Sequence, residues 1–236
     1  MIFQLSNDVL YHFVSVVMIS IMVALVWVFT GHTLRRYIKY RNKPALYLTL
    51  NYMCYIVALH INFVAHVSVV ISGVETQAYT DAIMVGFVFI ILGMVSAIML
   101  YDQFSNLKRW IKLTSIISGL LFSGFIISLF FTLGFESLRL RISIYIVMTL
   151  YAFVIYGSLT VLFYQAFRKT EEKKMELGAL FIGNLLWIIS FFLRILAALI
   201  SIDIINILAS FLMIFIFICY FLGLYFFPTR KRVMNQ

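Results

Sequence analysis

The chain has 236 residues, of which 64% are hydrophobic and only 11% charged, with a formal net charge of +9 and a mean hydropathy of +1.06. These values exclude an ordinary soluble domain and mark an integral membrane protein. The positive excess then reads as contact with anionic lipid at an inner membrane face, and no nucleic-acid partner is expected.

A helix crossing the hydrocarbon layer needs about 20 mostly apolar residues. Seven runs meet that need: Val9 to Thr30, Leu46 to Ile71, Ala82 to Tyr101, Leu113 to Leu133, Ile142 to Phe167, Leu177 to Ile200 and Ile204 to Phe227. The breaks between them are short, so a single all-α domain is expected over residues 1–236, a seven-transmembrane-helix bundle with a short basic tail at 228–236. The opening MIFQLSND lacks the positive region of a signal peptide, and the basic cluster follows the first apolar run. The first segment therefore reads as a retained helix.

Cytoplasmic loops hold the excess of Lys and Arg. The first break carries Arg35, Arg36, Lys39, Arg41 and Lys43, the third Lys108, Arg109 and Lys112, and the fifth Arg168, Lys169, Lys173 and Lys174. With Arg230, Lys231 and Arg232 these make fifteen of the eighteen basic residues. The amino terminus is thus expected outside and the carboxyl terminus in the cytoplasm, in a multi-pass protein of the cell membrane. The two prolines, Pro44 and Pro228, fall at segment ends, where the ring breaks no internal hydrogen bond. Discontinuous transporter helices are marked by Gly or Pro breaks in corresponding halves, and no such pattern occurs. Ser115, Gly119 and Ser123 recur every four residues, a small-residue stripe for close helix packing. Cys54 and Cys219 both fall within segments and read as small buried side chains, with no disulfide framework.

The second segment contains ALHINFVAH, with His60, Asn62 and His66 amid apolar residues. At about 100° per residue, Asn51, Tyr55, Ala58, Asn62 and His66 share one face, which should turn to the bundle interior because an unpaired polar group in hydrocarbon costs several kcal/mol. His60 falls on the opposite face and should meet another neighbour, as a hydrogen-bonded contact between helices. On the sixth segment Asn184, Trp187, Phe191, Ala198 and Arg194 share a face. Arg194 should have an acceptor, because a charge near the bilayer centre costs about 2.5 to 3.5 kcal/mol. Asp81 and Asp203 are its candidate counter-ions, an anionic ligand is the alternative, and snorkelling to the interface is a third. Asp8, His12, Tyr79 and Asn206 belong to the same outer third, with His12 read as an interfacial, wet ring. Together these residues outline an extracellular polar cup, with Asn62, His66, Asn184, Trp187 and Arg194 as the candidate ligand contacts. Further stripes, Tyr145, Thr149, Ala152, Tyr156 and Thr160 on the fifth segment and Asn206, Ser210, Met213, Phe217 and Tyr220 on the seventh, are read as packing before ligand lining.

Catalysis finds no support. HExxH and Gly-x-Ser-x-Gly are both missing, and Glu171, Glu172 and Glu176 are interleaved with Lys173 and Lys174 as a solvated extension. No metal site is expected. A bis-histidine haem between His12 and His66 would require adjacent helices and a cavity.

In layout the chain resembles heptahelical sensors and receptors, and in size and topology the microbial rhodopsins. That family attaches retinal to a lysine of the seventh helix, whereas INILASFLMIFIFICYFLGLYFF contains none. Covalent retinal, and any other cofactor, is therefore not expected. RRYIKYRNKPALYLTLNYMCYIVAL is similar to the basic first loop and second helix of the seven-helix sensing regions that precede histidine kinases. No kinase follows Phe227, so the resemblance implies output through a separate cytoplasmic or membrane partner. The expected function is a non-enzymatic sensor or receptor-like protein for a small ligand. A transporter or channel, or a structural subunit of a membrane complex, are the alternatives.

Overall fold

A computed structural model describes residues 7–105, 108–132, 138–169, 174–200 and 203–225. They form seven helices: α1 (Asn7–Tyr40), α2 (Lys43–Ser72), α3 (Gln77–Ser105), α4 (Arg109–Thr132), α5 (Leu138–Lys169), α6 (Lys174–Ile200) and α7 (Asp203–Tyr225). Six are long and apolar enough to cross a membrane, and α7 contributes a shorter apolar stretch, Ile207–Gly223. The protein is thus an all-α, multi-pass type of chain.

The helices begin earlier than the apolar runs, and most also end later. Hydropathy delimits what lies in hydrocarbon, whereas a helix continues until the backbone is stopped. α1 runs on through Arg35, Arg36 and Lys39 and ends only where Arg41 adopts a left-handed φ of 50°, its N–H bonding Tyr37 O at 2.7 Å. Asn42 is extended, and Pro44 lies in the first turn of α2, where its missing N–H costs nothing. At the other end of α2, Gly73 is left-handed at φ 72° and returns its N–H to Val69 O at 2.8 Å, the arrangement that glycine adopts without a Cβ penalty. The basic tail after Phe227 lies outside the described residues.

Six helices close a ring. α1 packs on α2 and α7, α2 on α3, α3 on α5, α5 on α6 and α6 on α7, while α4 packs on α3 from outside. The small-residue stripe expected at Ser115, Gly119 and Ser123 is the face of α4 turned to this ring. A Cβ added at Gly119 would come within 2.5 Å of the Tyr151 hydroxyl and 2.6 Å of Val95 Cγ2, and Tyr151 donates to Ser115 O at 2.8 Å. At the basic end of α4, Lys112 Nζ lies 2.7 Å from Asp102 Oδ2.

Large apolar side chains cover the outside, among them Trp27, Trp110, Leu121, Phe131, Phe153 and Phe192. A soluble monomer rarely exposes apolar patches above a few hundred Å², and a lipid-solvated bundle does so everywhere. The interior is close-packed around Val26, Ile91, Met94, Tyr156, Ile216 and Phe217. Of the inward stripe of α2, Asn51, Tyr55, Ala58 and His66 are buried and Asn62 is half-buried.

Candidate functional site

The candidate residues do not form a single cup. They divide between two polar clusters at different depths of the ring, with α2 contributing to both.

The first cluster lies where α1, α2 and the α2–α3 connection meet, at the end with few basic residues. His12 stands close to the start of the described part of α1, opposite His66 near the end of α2. Their Nδ1 atoms are 2.8 Å apart, and His12 Nε2 lies 3.0 Å from Glu75 Oε1. The left-handed turn at Gly73 bends the chain so that Glu75 comes back over the end of α1. Tyr79, one turn into α3, sets its ring edge-on to both imidazoles, at centroid distances of 5.1 Å from His12 and 5.3 Å from His66. Tyr11 meets both rings edge-on from the other side. His12 was expected to stay wet, yet it is 0% exposed, whereas the Glu75 side chain is 56% exposed. The correction has a simple cause: Glu75 supplies the acceptor that the ring would otherwise seek from water.

With Glu75 ionised, these contacts decide which nitrogens donate. A carboxylate only accepts, so His12 Nε2–H donates to Glu75. In a neutral His12, Nδ1 is then an acceptor and His66 Nδ1–H donates to it, leaving His66 Nε2 as an acceptor. If His12 takes up a proton, both of its nitrogens donate, the shared bond reverses, and His66 Nε2 carries the hydrogen. A proton gained at the exposed end therefore changes the chemical face that buried His66 presents. The Arg194 guanidinium, half-buried on α6, is within electrostatic reach of His66. Among the described residues no ion pair engages Arg194. Of its two candidate counter-ions, Asp81 accepts from Gln77 Nε2 at 2.8 Å, and the side chain of Asp203 lies outside the described residues, as do those of Asp8 and Asn206.

Asn62 sits one turn from His66 towards the basic end. Among the described residues its Oδ1 is buried without a hydrogen-bond partner, and it lies 2.8 Å from where a Cβ on Gly86 would stand. Gly86 thus gives α2 and α3 their close approach, repeated two turns further at Gly93, whose carbonyl accepts from Asn51 Nδ2 at 2.6 Å.

The second cluster gathers Asn184 and Trp187 with Tyr55 of the inward α2 stripe and with Tyr156 and Tyr220, from stripes whose spacing points to packing first. Trp187 stacks on Tyr156 at 5.0 Å and 7° and on Phe191 at 5.2 Å and 20°. The hydroxyls of Tyr55 and Tyr156 are 2.7 Å apart, and Tyr220 donates to Asn184 Oδ1 at 2.7 Å, with Asn184 Nδ2 donating to Leu180 O at 2.6 Å. A narrow cavity of about 30 Å³ lies among these groups.

His60 departs from expectation. It is exposed, and its Nδ1 donates to Ile56 O of its own helix at 2.7 Å, with Trp27 of α1 edge-on at 6.4 Å. The backbone carbonyl one turn back satisfies the ring, so no partner helix is needed. For a haem, two axial nitrogens each need about 2 Å to the iron on opposite sides, which the direct 2.8 Å contact of His12 and His66 does not leave. Among the described residues no three His, Cys, Asp or Glu side chains are grouped to hold a metal ion. Cys54 and Cys219 are free thiols.

No family model, curated protein or solved structure matches this chain.

Proposed function

We propose that this protein is a heptahelical, receptor-like membrane sensor, and that its input is a small carboxylic acid received at the His12, His66, Glu75 and Arg194 cluster. The observation that carries the reading is the unbroken chain of hydrogen bonds from the exposed Glu75 through His12 to the buried His66, at 3.0 and 2.8 Å. A structural polar contact needs only one bond across two helices. Here three groups in series lead from the surface to a nitrogen whose donor or acceptor character depends on a proton taken up at the other ring.

A carboxylate approaching Arg194 and His66 would meet a fixed cation and, once a proton has entered the histidine pair, an N–H at Nε2. The ligand and the proton thus arrive together, which amounts to binding the undissociated acid. Signalling requires that the acid prefer one helix arrangement over another. α6, which carries Arg194 at one depth and Asn184 and Trp187 at another, is the element able to transmit that preference to a separate partner at the basic face. An outward-facing amino terminus in the cell membrane belongs to the same proposal.

The test is thermal stability of the detergent-purified chain against a panel of small carboxylic acids, for wild type and Arg194→Gln. A bound acid at about 100 times its Kd stabilises the folded state by about 2.7 kcal/mol. Stabilisation of wild type that is lost in Arg194→Gln, and stronger at mildly acidic than at mildly alkaline pH, supports the reading. No stabilisation by any acid, together with marked instability of Arg194→Gln, would instead make Arg194 a structural cation.

Transport is a second reading, favoured by the polar groups that α2 carries at two depths. It predicts flux of the stabilising acid into liposomes, which a sensor does not show.

A further inference from the structure

The second cluster has a use that is independent of the acid site. Its cavity, about 30 Å³, is bounded by α2, α3, α5, α6 and α7, and no charged side chain lines it. Its walls are mostly aromatic rings and aliphatic groups, including Tyr52, Tyr55, Tyr156, Trp187, Phe217 and Tyr220. Most polar side chains on the wall are already satisfied: Tyr55 with Tyr156, Tyr220 with Asn184, Asn51 with the Gly93 carbonyl. Tyr52 is the exception. It is 2% exposed, and among the described residues its hydroxyl meets no protein donor or acceptor, although Tyr220 lies within electrostatic reach.

An isolated hydroxyl in a membrane protein interior is costly, because neither bulk water nor lipid can supply the missing bond. The size of the cavity decides what can. One water needs about 10 to 15 Å³ of such space, so the volume holds about two waters and is far below the several hundred Å³ of a cavity for a drug-sized ligand. Charge recognition is excluded by the uncharged wall. A water needs two to four polar partners, and the hydroxyls of Tyr52, Tyr55, Tyr156 and Tyr220 retain donors or lone pairs to provide them.

We propose that this cavity is an internal hydration site, in which about two waters bond the Tyr52 hydroxyl and bridge it to the neighbouring tyrosines. The site then joins α2, α5, α6 and α7 through one hydrogen-bonded centre inside an otherwise apolar ring. Such a joint tolerates small helix shifts, since a water can exchange partners where a methyl contact would be lost.

The experiment is X-ray radiolytic labelling of the full chain in detergent micelles, in which hydroxyl radicals form from the water next to a side chain, read by mass spectrometry. Oxidation is expected at Tyr52 or Tyr55 despite their burial, and not at Met94, which is equally buried, intrinsically reactive and absent from the cavity wall. In Ala97→Val, which enlarges a side chain on the cavity wall, that labelling should fall at least several-fold. A wild-type chain whose cavity tyrosines label no more than Met94 overturns the proposal. Tyr52→Phe gives a second readout: a Tm lowered by a few degrees fits a hydroxyl bonded to water, and a Tm raised by a comparable amount shows a dry, unsatisfied hydroxyl and overturns it.

Discussion

His12 Nδ1 and His66 Nδ1 stand 2.8 Å apart, 54 residues distant in sequence, and tie α1 to α2 inside an apolar layer. Because His12 also binds Glu75, removing either imidazole strands a nitrogen of the other. His12→Phe and His66→Phe are each expected to lower stability by about 1 to 3 kcal/mol. The double variant should cost less than the sum, with a coupling of about 0.5 to 3 kcal/mol. Denaturant or thermal unfolding of the four proteins measures it, and strict additivity would show that the two rings are neighbours without a shared bond.

Gly73 holds the turn that brings Glu75 over His12, at a φ that L side chains rarely adopt. Gly73→Ala should cost about 1 kcal/mol or more. Space is not the cause, since no atom lies within 4 Å of the added Cβ. The stabilisation by acids proposed above should weaken in parallel, even though Gly73 touches no ligand. A variant with reduced Tm but unchanged response to acids would separate the turn from the site.

Gly119 and Gly124 form a matched pair on α4. An alanine at Gly119 meets the Tyr151 hydroxyl and Val95, whereas at Gly124 it meets open space. Gly119→Ala is expected to destabilise by about 1 to 3 kcal/mol as α4 is forced from α3, and Gly124→Ala to be neutral or mildly stabilising through helix propensity. Thermal unfolding of both variants, with susceptibility of the α3–α4 connection to protease, reads the difference.

Trp187 stacks with both Tyr156 and Phe191. Trp187→Ala should cost about 3 to 5 kcal/mol, while Trp187→Phe retains one ring and should cost less than half as much. The loss of Tm in the two variants checks this ordering.

The helices were legible because hydrocarbon demands long apolar runs, and the inward face of α2 because Asn51, Tyr55, Asn62 and His66 repeat at helical spacing. The site was only half legible. Helical spacing gives direction around one helix and depth along it, so His66 and Arg194 could be placed at one level. It does not say which helices are neighbours. The ring order brought His12 against His66, while Asn184 and Trp187 fell nearer the basic end, with Tyr156 and Tyr220. Glu75 was missed as a partner because it lies in a connection, where no periodicity operates and only the left-handed turn at Gly73 aims it. His60 showed the opposite failure: a polar residue in an apolar run seemed to need another helix, and its own backbone carbonyl sufficed.

The ring described above closes through α1 and α7, the first and last of the described helices. During synthesis the contact of α1 with α7 can form only after α7 emerges. Closure of the ring therefore waits for α7, which joins α1 to α6. The order of synthesis, as much as the order of packing, decides when the interior of this protein comes into being.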